Sequence, residues 1–183
     1  MGAIRDALDR ARQAATTRPI PARADTRLAF LLKSEKGSTA AVAARLGVTQ
    51  RTVQRYLKGD RAPNAKAAAA LEREVRKDWQ PKVKARAEKQ AAARGIVVET
   101  RARFGFRAPA GTTDDGRLRR ITQHITPENS AAAFAAYRAG ASEDELQAIV
   151  GGALGESYFR DGGRRAQGLD VELTDIDYID FGF

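Results

Sequence analysis

Apolar residues recur at every third or fourth position as far as Arg94, and at every second position beyond Gly95. The first spacing lines one face of a helix; the second lines one face of a strand. Ile4, Ala7, Leu8 and Ala11 predict a short amphipathic helix over residues 3–15, broken by Pro19 and Pro21. Residues 16–24 then form a linker or arm, whose Arg18 and Arg23 are either solvated or laid along a phosphate backbone. A helix holding Leu28, Phe30, Leu31 and Leu32 follows, with Asp25 as its expected N-cap and Gly37 as its stop. Asn64 caps the next helical stretch. Pro81 fits a first turn, so this stretch reads as two helices, 65–79 and 81–94, bent beside Trp79 as a packing anchor.

The strand-like half begins at Ile96. Val98, Thr100, Ala102, Phe104 and Phe106 share one face, and Glu99, Arg101 and Arg103 share the other. Arg117 to Ile125 alternates again. The Gly/Pro/Asp/Thr stretch 108–116 between them is a loop by composition, so the whole reads as an extended hairpin. Thr126-Pro127 opens a helix lined by Ala131, Phe134, Ala135 and Tyr137. Ser142 and Glu145 form a capping box for another, which Gly151 and Gly152 are expected to end. Leu169 to Phe183 is strand-like and acidic, the composition of a solvated sheet edge. The chain is thus predicted to be α+β. Residues 1–24 are an N-terminal helix and arm, 25–80 an all-helical DNA-binding domain, 81–94 a basic connector helix, and 95–183 a small α+β domain.

The helical domain rests on residues 39–58. Ala43 is small enough for two helices to cross closely, and Gly47 stands four residues on, where a tight turn needs φ > 0. Val42, Leu46, Val48, Val53 and Tyr56 fall on the inner positions of a helix-turn-helix, and Thr49 is placed to cap its second helix. Thr49, Gln50, Arg51, Thr52, Gln54, Arg55 and Lys58 are then the expected DNA-binding residues, with side chains suited to base edges and phosphates in a major groove.

Charge agrees with that reading. The 183 residues carry 32 Lys/Arg against 23 Asp/Glu, a net +9. Residues 1–100 hold 22 basic and 10 acidic side chains; the remainder holds 10 and 13. A polyanion is the expected partner, met by the first half. The sequence has no cysteine, which excludes disulfides, thiolate metal sites and cysteine catalysis. No apolar run is long enough for a membrane helix, and a cytoplasmic protein is the default expectation. The one histidine, His124, lacks neighbours at metal-ligand spacing, and the glycines around 151–155 lack the lysine of a phosphate-binding loop. No metal site and no intrinsic cofactor are expected. Thr112 and Thr113 stand exposed in the hairpin loop, bracketed by Arg107, Arg117, Arg119 and Arg120 as candidate phosphate contacts. Composition alone does not single these threonines out.

A resemblance does. Leu57-Lys58-Gly59-Asp60-Arg61-Ala62-Pro63 after the helix-turn-helix, the run from Ala70-Leu71-Glu72 to Trp79-Gln80-Pro81, Phe104-Gly105-Phe106 with the Thr-Thr loop, and Asp175-Ile176-Asp177-Tyr178-Ile179 occur in that order. Together they resemble the telomere terminal proteins of linear Streptomyces replicons. The resemblance implies a protein joined through a threonine hydroxyl to DNA 5′ ends, where it serves as primer. The linked residue would be Thr113 or Thr112, with Thr113 favoured. It also implies a partner DNA polymerase that brings the dNTP and Mg²⁺, a telomere-associated protein, and a place in the nucleoid at replicon ends. Such a protein supplies a nucleophile and is not itself an enzyme. Self-association is a further expectation. The competing readings are a helix-turn-helix transcriptional regulator with an α+β effector or dimerisation domain, and a nucleoid or plasmid-partition accessory factor.

Overall fold

The computed structural model describes residues 2–107, 113–162, 164 and 168–183, and of Arg107 and residues 113–115 the backbone alone. The fold is α+β, a helical unit and a three-stranded antiparallel sheet with helices. The chain forms two compact units, residues 16–82 and residues 1–15 with 83–183.

The unit 16–82 packs α2 (Ala24–Ser34), α3 (Thr39–Leu46), α4 (Gln50–Lys58) and α5 (Ala65–Asp78). Leu28, Leu31, Val42, Ala43, Leu46, Val53, Ala70, Leu71 and Val75 are its buried core. Trp79 packs at a tilt against Phe30 with ring centroids 5.2 Å apart and donates from Nε1 to the Arg18 carbonyl at 2.8 Å. Asp25 is not the N-cap of α2. Arg23 takes that place without a side-chain capping bond, and the Asp25 carboxylate lies in the first turn. It accepts there from the Arg23 guanidinium and from the Thr26 N–H, in the positive field of the exposed helix amides.

The second unit joins α1 (Ala3–Ala14), α6 (Pro81–Arg94, from Val83 onward), β1 (Ile96–Arg107), β2 (Thr113–Ile125), α7 (Pro127–Ala139), α8 (Glu143–Leu154) and β3 (Asp170–Gly182). The strand order is β2-β1-β3, with β1 central and antiparallel to both neighbours. The even-numbered face of β1, from Ile96 to Phe104, is buried, as alternation predicts. Against expectation from local pattern, α1 is part of this unit. Ile4, Ala7 and Leu8 lie in the same core as Val98, Phe134, Leu154 and Ile179. The Glu143 carboxylate accepts from the free N–H of Ile4 at 2.6 Å, and Arg10 bonds both the Ile179 carbonyl and Asp180.

Three local expectations change for physical reasons. β2 starts at Thr113, so Thr113 to Gly116 belong to a strand instead of the loop; the extra residue is absorbed by an irregularity opposite Phe104–Phe106. Gly151 and Gly152 do not end α8, which runs on to Leu154 and a π-turn, Gly155–Phe159. Gly151 serves close approach: a Cβ there would lie 3.2 Å from the Val171 carbonyl oxygen and from the Leu173 Cβ of β3. On α6, read from sequence as a basic connector, Lys84 and Glu88 are buried within the second unit. Glu88 is ion-paired with Arg12 of α1 at 3.1 Å and accepts from Arg138 of α7, which pins three helices around one carboxylate.

Candidate nucleic-acid interface

The helix-turn-helix is built by local chemistry. Ser38 Oγ accepts from the Ala41 N–H and starts α3; Gly47, at φ +64°, ends it in the left-handed conformation a side chain would strain. Thr49 Oγ1 accepts from the Thr52 N–H at 3.2 Å and starts α4. Val53 is fully buried, and Val48 and Tyr56 pack half-buried against the core. Arg45 locks α3 in place from behind. Its guanidinium reaches Glu35 at 2.9 Å, Glu74 at 3.2 Å and Asp78 at 2.7 Å. Partial burial disfavours its charge, but the bonds to Asp78, Glu35 and Glu74 outweigh that and hold its pKa above the ordinary value. Burial likewise pushes the Glu74 carboxyl upward, yet bonds from Lys77 and Arg45 win and leave it lowered.

These supports leave one face of α4 open. Gln50, Arg51, Gln54, Arg55 and Lys58 are exposed, and Arg51, Gln54, Arg55 and Lys58 line a shallow polar concavity with Asp60. Gln50 is pre-positioned by a bond from its Nε2 to Thr39 Oγ1 at 2.9 Å. Thr39 was not among the residues expected at the interface; the only sequence signal for it is its place beside the Ser38 cap. Thr52 differs from expectation in another way: its hydroxyl lies 2.8 Å from Thr49 Oγ1, tied into the cap.

Charge concentrates on this unit more sharply than the halves of the chain suggested. Residues 16–82 hold 15 Lys/Arg and 6 Asp/Glu, a net +9; residues 1–15 with 83–183 hold 17 of each, a net of zero. The attraction for a polyanion therefore belongs to the helix-turn-helix unit.

Residues 28–79 match the helix-turn-helix family model. They form a DNA-binding domain. No curated protein and no solved structure matches the chain.

The arginines expected around the hairpin loop do not make one cluster. Strand alternation sends Arg117 and Arg119 to one face of the sheet and Arg120 to the other. Arg120 bonds Glu99 at 2.8 Å and lies 6.0 Å from the Tyr178 ring centroid. Its hydrogen bond with Glu99 raises the pKa of Arg120, and the bond from Arg120 lowers that of Glu99. Arg119 lies over Phe106 and Phe159. Arg107 pairs with Thr113 at the last described rung of the hairpin; its side chain and that of Thr113 lie outside the description, as does Thr112 altogether. Among the described residues no group of acids and histidines is arranged to hold a metal ion, and no helix is long and apolar enough to cross a membrane.

Proposed function

We propose that this DNA-binding protein is a terminal protein that primes DNA synthesis at the 5′ ends of linear replicons. The observation that carries the reading is the Thr-Thr pair following Phe104-Gly105-Phe106, on a hairpin downstream of a helix-turn-helix. In this reading the cationic unit docks on duplex DNA near an end. The Thr113 hydroxyl, or that of Thr112, attacks the α-phosphorus of a dNTP. An Oγ–P bond forms, the bond to pyrophosphate breaks, and the hydroxyl proton passes to a base of the polymerase or to solvent. A threonine hydroxyl is a weak nucleophile near neutral pH, so the partner polymerase supplies Mg²⁺ and stabilises the leaving pyrophosphate. The chain contributes position, the larger part of what a tethered primer can offer. A telomere-associated protein fits as the partner that delivers it to replicon ends in the nucleoid.

The match to a helix-turn-helix model favours a transcriptional regulator equally on the first unit alone. The threonines separate the two readings. With polymerase, Mg²⁺, labelled dNTP and telomere template, the protein should acquire an alkali-labile nucleotide label. The Thr112→Val/Thr113→Val double variant should acquire none. Normal labelling of that variant would overturn the assignment.

A further inference from the structure

The sheet unit carries an aromatic and basic cluster that the helix-turn-helix does not use. Phe159 meets Phe106 edge to face at 4.8 Å, and also contacts Phe104 at 5.5 Å and Tyr158 at 4.9 Å. Over this platform lies the Arg119 guanidinium, 5.7 Å from the Phe159 centroid and 6.0 Å from that of Phe106. The π-turn Gly155–Phe159 shapes the site: it turns Phe159 inward and leaves Tyr158 42% exposed. Such wide turns recur at functional sites. Three polar atoms here are buried without a hydrogen-bond partner among the described residues: Arg119 Nε, Ser157 Oγ and Arg160 Nε. Glu156 is turned away, accepting from Asn129 at 2.8 Å, while Asp161 is exposed beside Arg160.

Buried donors without partners are costly unless something meets them. A guanidinium lying over aromatic rings keeps N–H groups for a phosphate, and an exposed tyrosine ring offers a face to a nucleobase. In a duplex the base faces are already stacked, so this pair of groups suits an unpaired strand. The unit has no net charge, so the grip would come from stacking and a few directed contacts.

We propose that Tyr158, Arg119, Arg160 and Ser157 form a binding site for single-stranded DNA. One base stacks on Tyr158, and its phosphate is held by the two guanidiniums and the hydroxyl. The site does not depend on the threonine chemistry, and its test contains neither polymerase nor dNTP, so either idea can fail alone.

The test uses the full chain and fluorescence anisotropy with a labelled oligothymidylate and, separately, a labelled duplex. Tyr158→Ala should weaken single-strand binding roughly fivefold to a hundredfold, the range of one base–aromatic stack. Tyr158→Phe should retain the affinity, and duplex affinity should stay within about twofold in both, because duplex binding belongs to the other unit. Arg119→Lys should lose single-strand affinity despite keeping its charge. A 5-iodouracil oligonucleotide should photocrosslink to the peptide containing Tyr158. Unchanged single-strand affinity in both Tyr158→Ala and Arg119→Lys, or crosslinks confined to residues 39–58, would overturn the site.

Discussion

Arg45 shows how one side chain sets the geometry of an interface it never reaches. It gathers Glu35, Glu74 and Asp78 behind α3, and Glu74 is only 7% exposed. Removing the cation leaves a buried carboxylate with Lys77 at 2.8 Å and Arg73 at 3.6 Å as its remaining ion-pair partners. Arg45→Ala should therefore cost about 2 kcal/mol at neutral pH, read by urea unfolding. The pH dependence has a definite sign. The Glu74 carboxyl is held below its ordinary 4.5, so its contribution is fully present above that value and is lost as pH falls through the lower folded pKa. The difference between Arg45→Ala and the parent should narrow over that acid window. A gap that stays constant into acid would assign the stabilisation to packing of the Arg45 stem.

At the scale of elements, the contact of α8 with β3 depends on glycine for want of room. Gly151 and Gly152 are adjacent in sequence and opposite in environment. A Cβ on Gly151 would press on the Val171 carbonyl and on Leu173, whereas one on Gly152 meets nothing within 4 Å. Gly151→Val should destabilise the protein by about 1–3 kcal/mol through overpacking against backbone. Gly152→Ala should be neutral or stabilising by up to about 1 kcal/mol through helix propensity. Thermal melts of the two variants separate the effects; equal melting temperatures would refute the contact argument. The pairing on both sides of β1 is also irregular near Arg103. β2 and β3 each carry a register irregularity beside it, and its guanidinium reaches the Gly116 carbonyl at 2.6 Å and Asp175 at 3.0 Å. One arginine thus spans the points where both outer strands depart from the central one.

For the whole molecule the governing feature is the division of charge. All of the net +9 resides in residues 16–82, and the sheet unit is neutral. Duplex affinity should fall steeply with salt through the first unit alone. Arg51→Ala and Arg55→Ala should each weaken duplex binding. A side chain on a base edge costs about 1–3 kcal/mol; one on a phosphate lowers the logarithmic salt slope by about one. Both residues are exposed, so melting temperature should hold while anisotropy titrations at several salt concentrations move. Unchanged affinity and slope in both would mean that another surface carries the DNA.

The helix-turn-helix was legible because its determinants are local. Ala43, Gly47, Thr49 and Val53 act within one short stretch, and each does in the structure what its spacing implies. The same holds for the Thr126 cap, the Ser142–Glu145 capping box and the buried face of β1, which are set by neighbours a few residues away or by strict alternation. What the tertiary structure alone decided depends on distant pairs. Ile4 meets Glu143 across 139 residues, and Arg12 and Arg138 bury Glu88 from two helices remote in sequence. The π-turn sets Tyr158 outward and Phe159 beneath Arg119. Local sequence specifies helices, turns and strand faces because their hydrogen bonds and side-chain periods are short-range. Which element joins which core, and which polar side chains are thereby buried or left open, follows only when the chain has closed on itself.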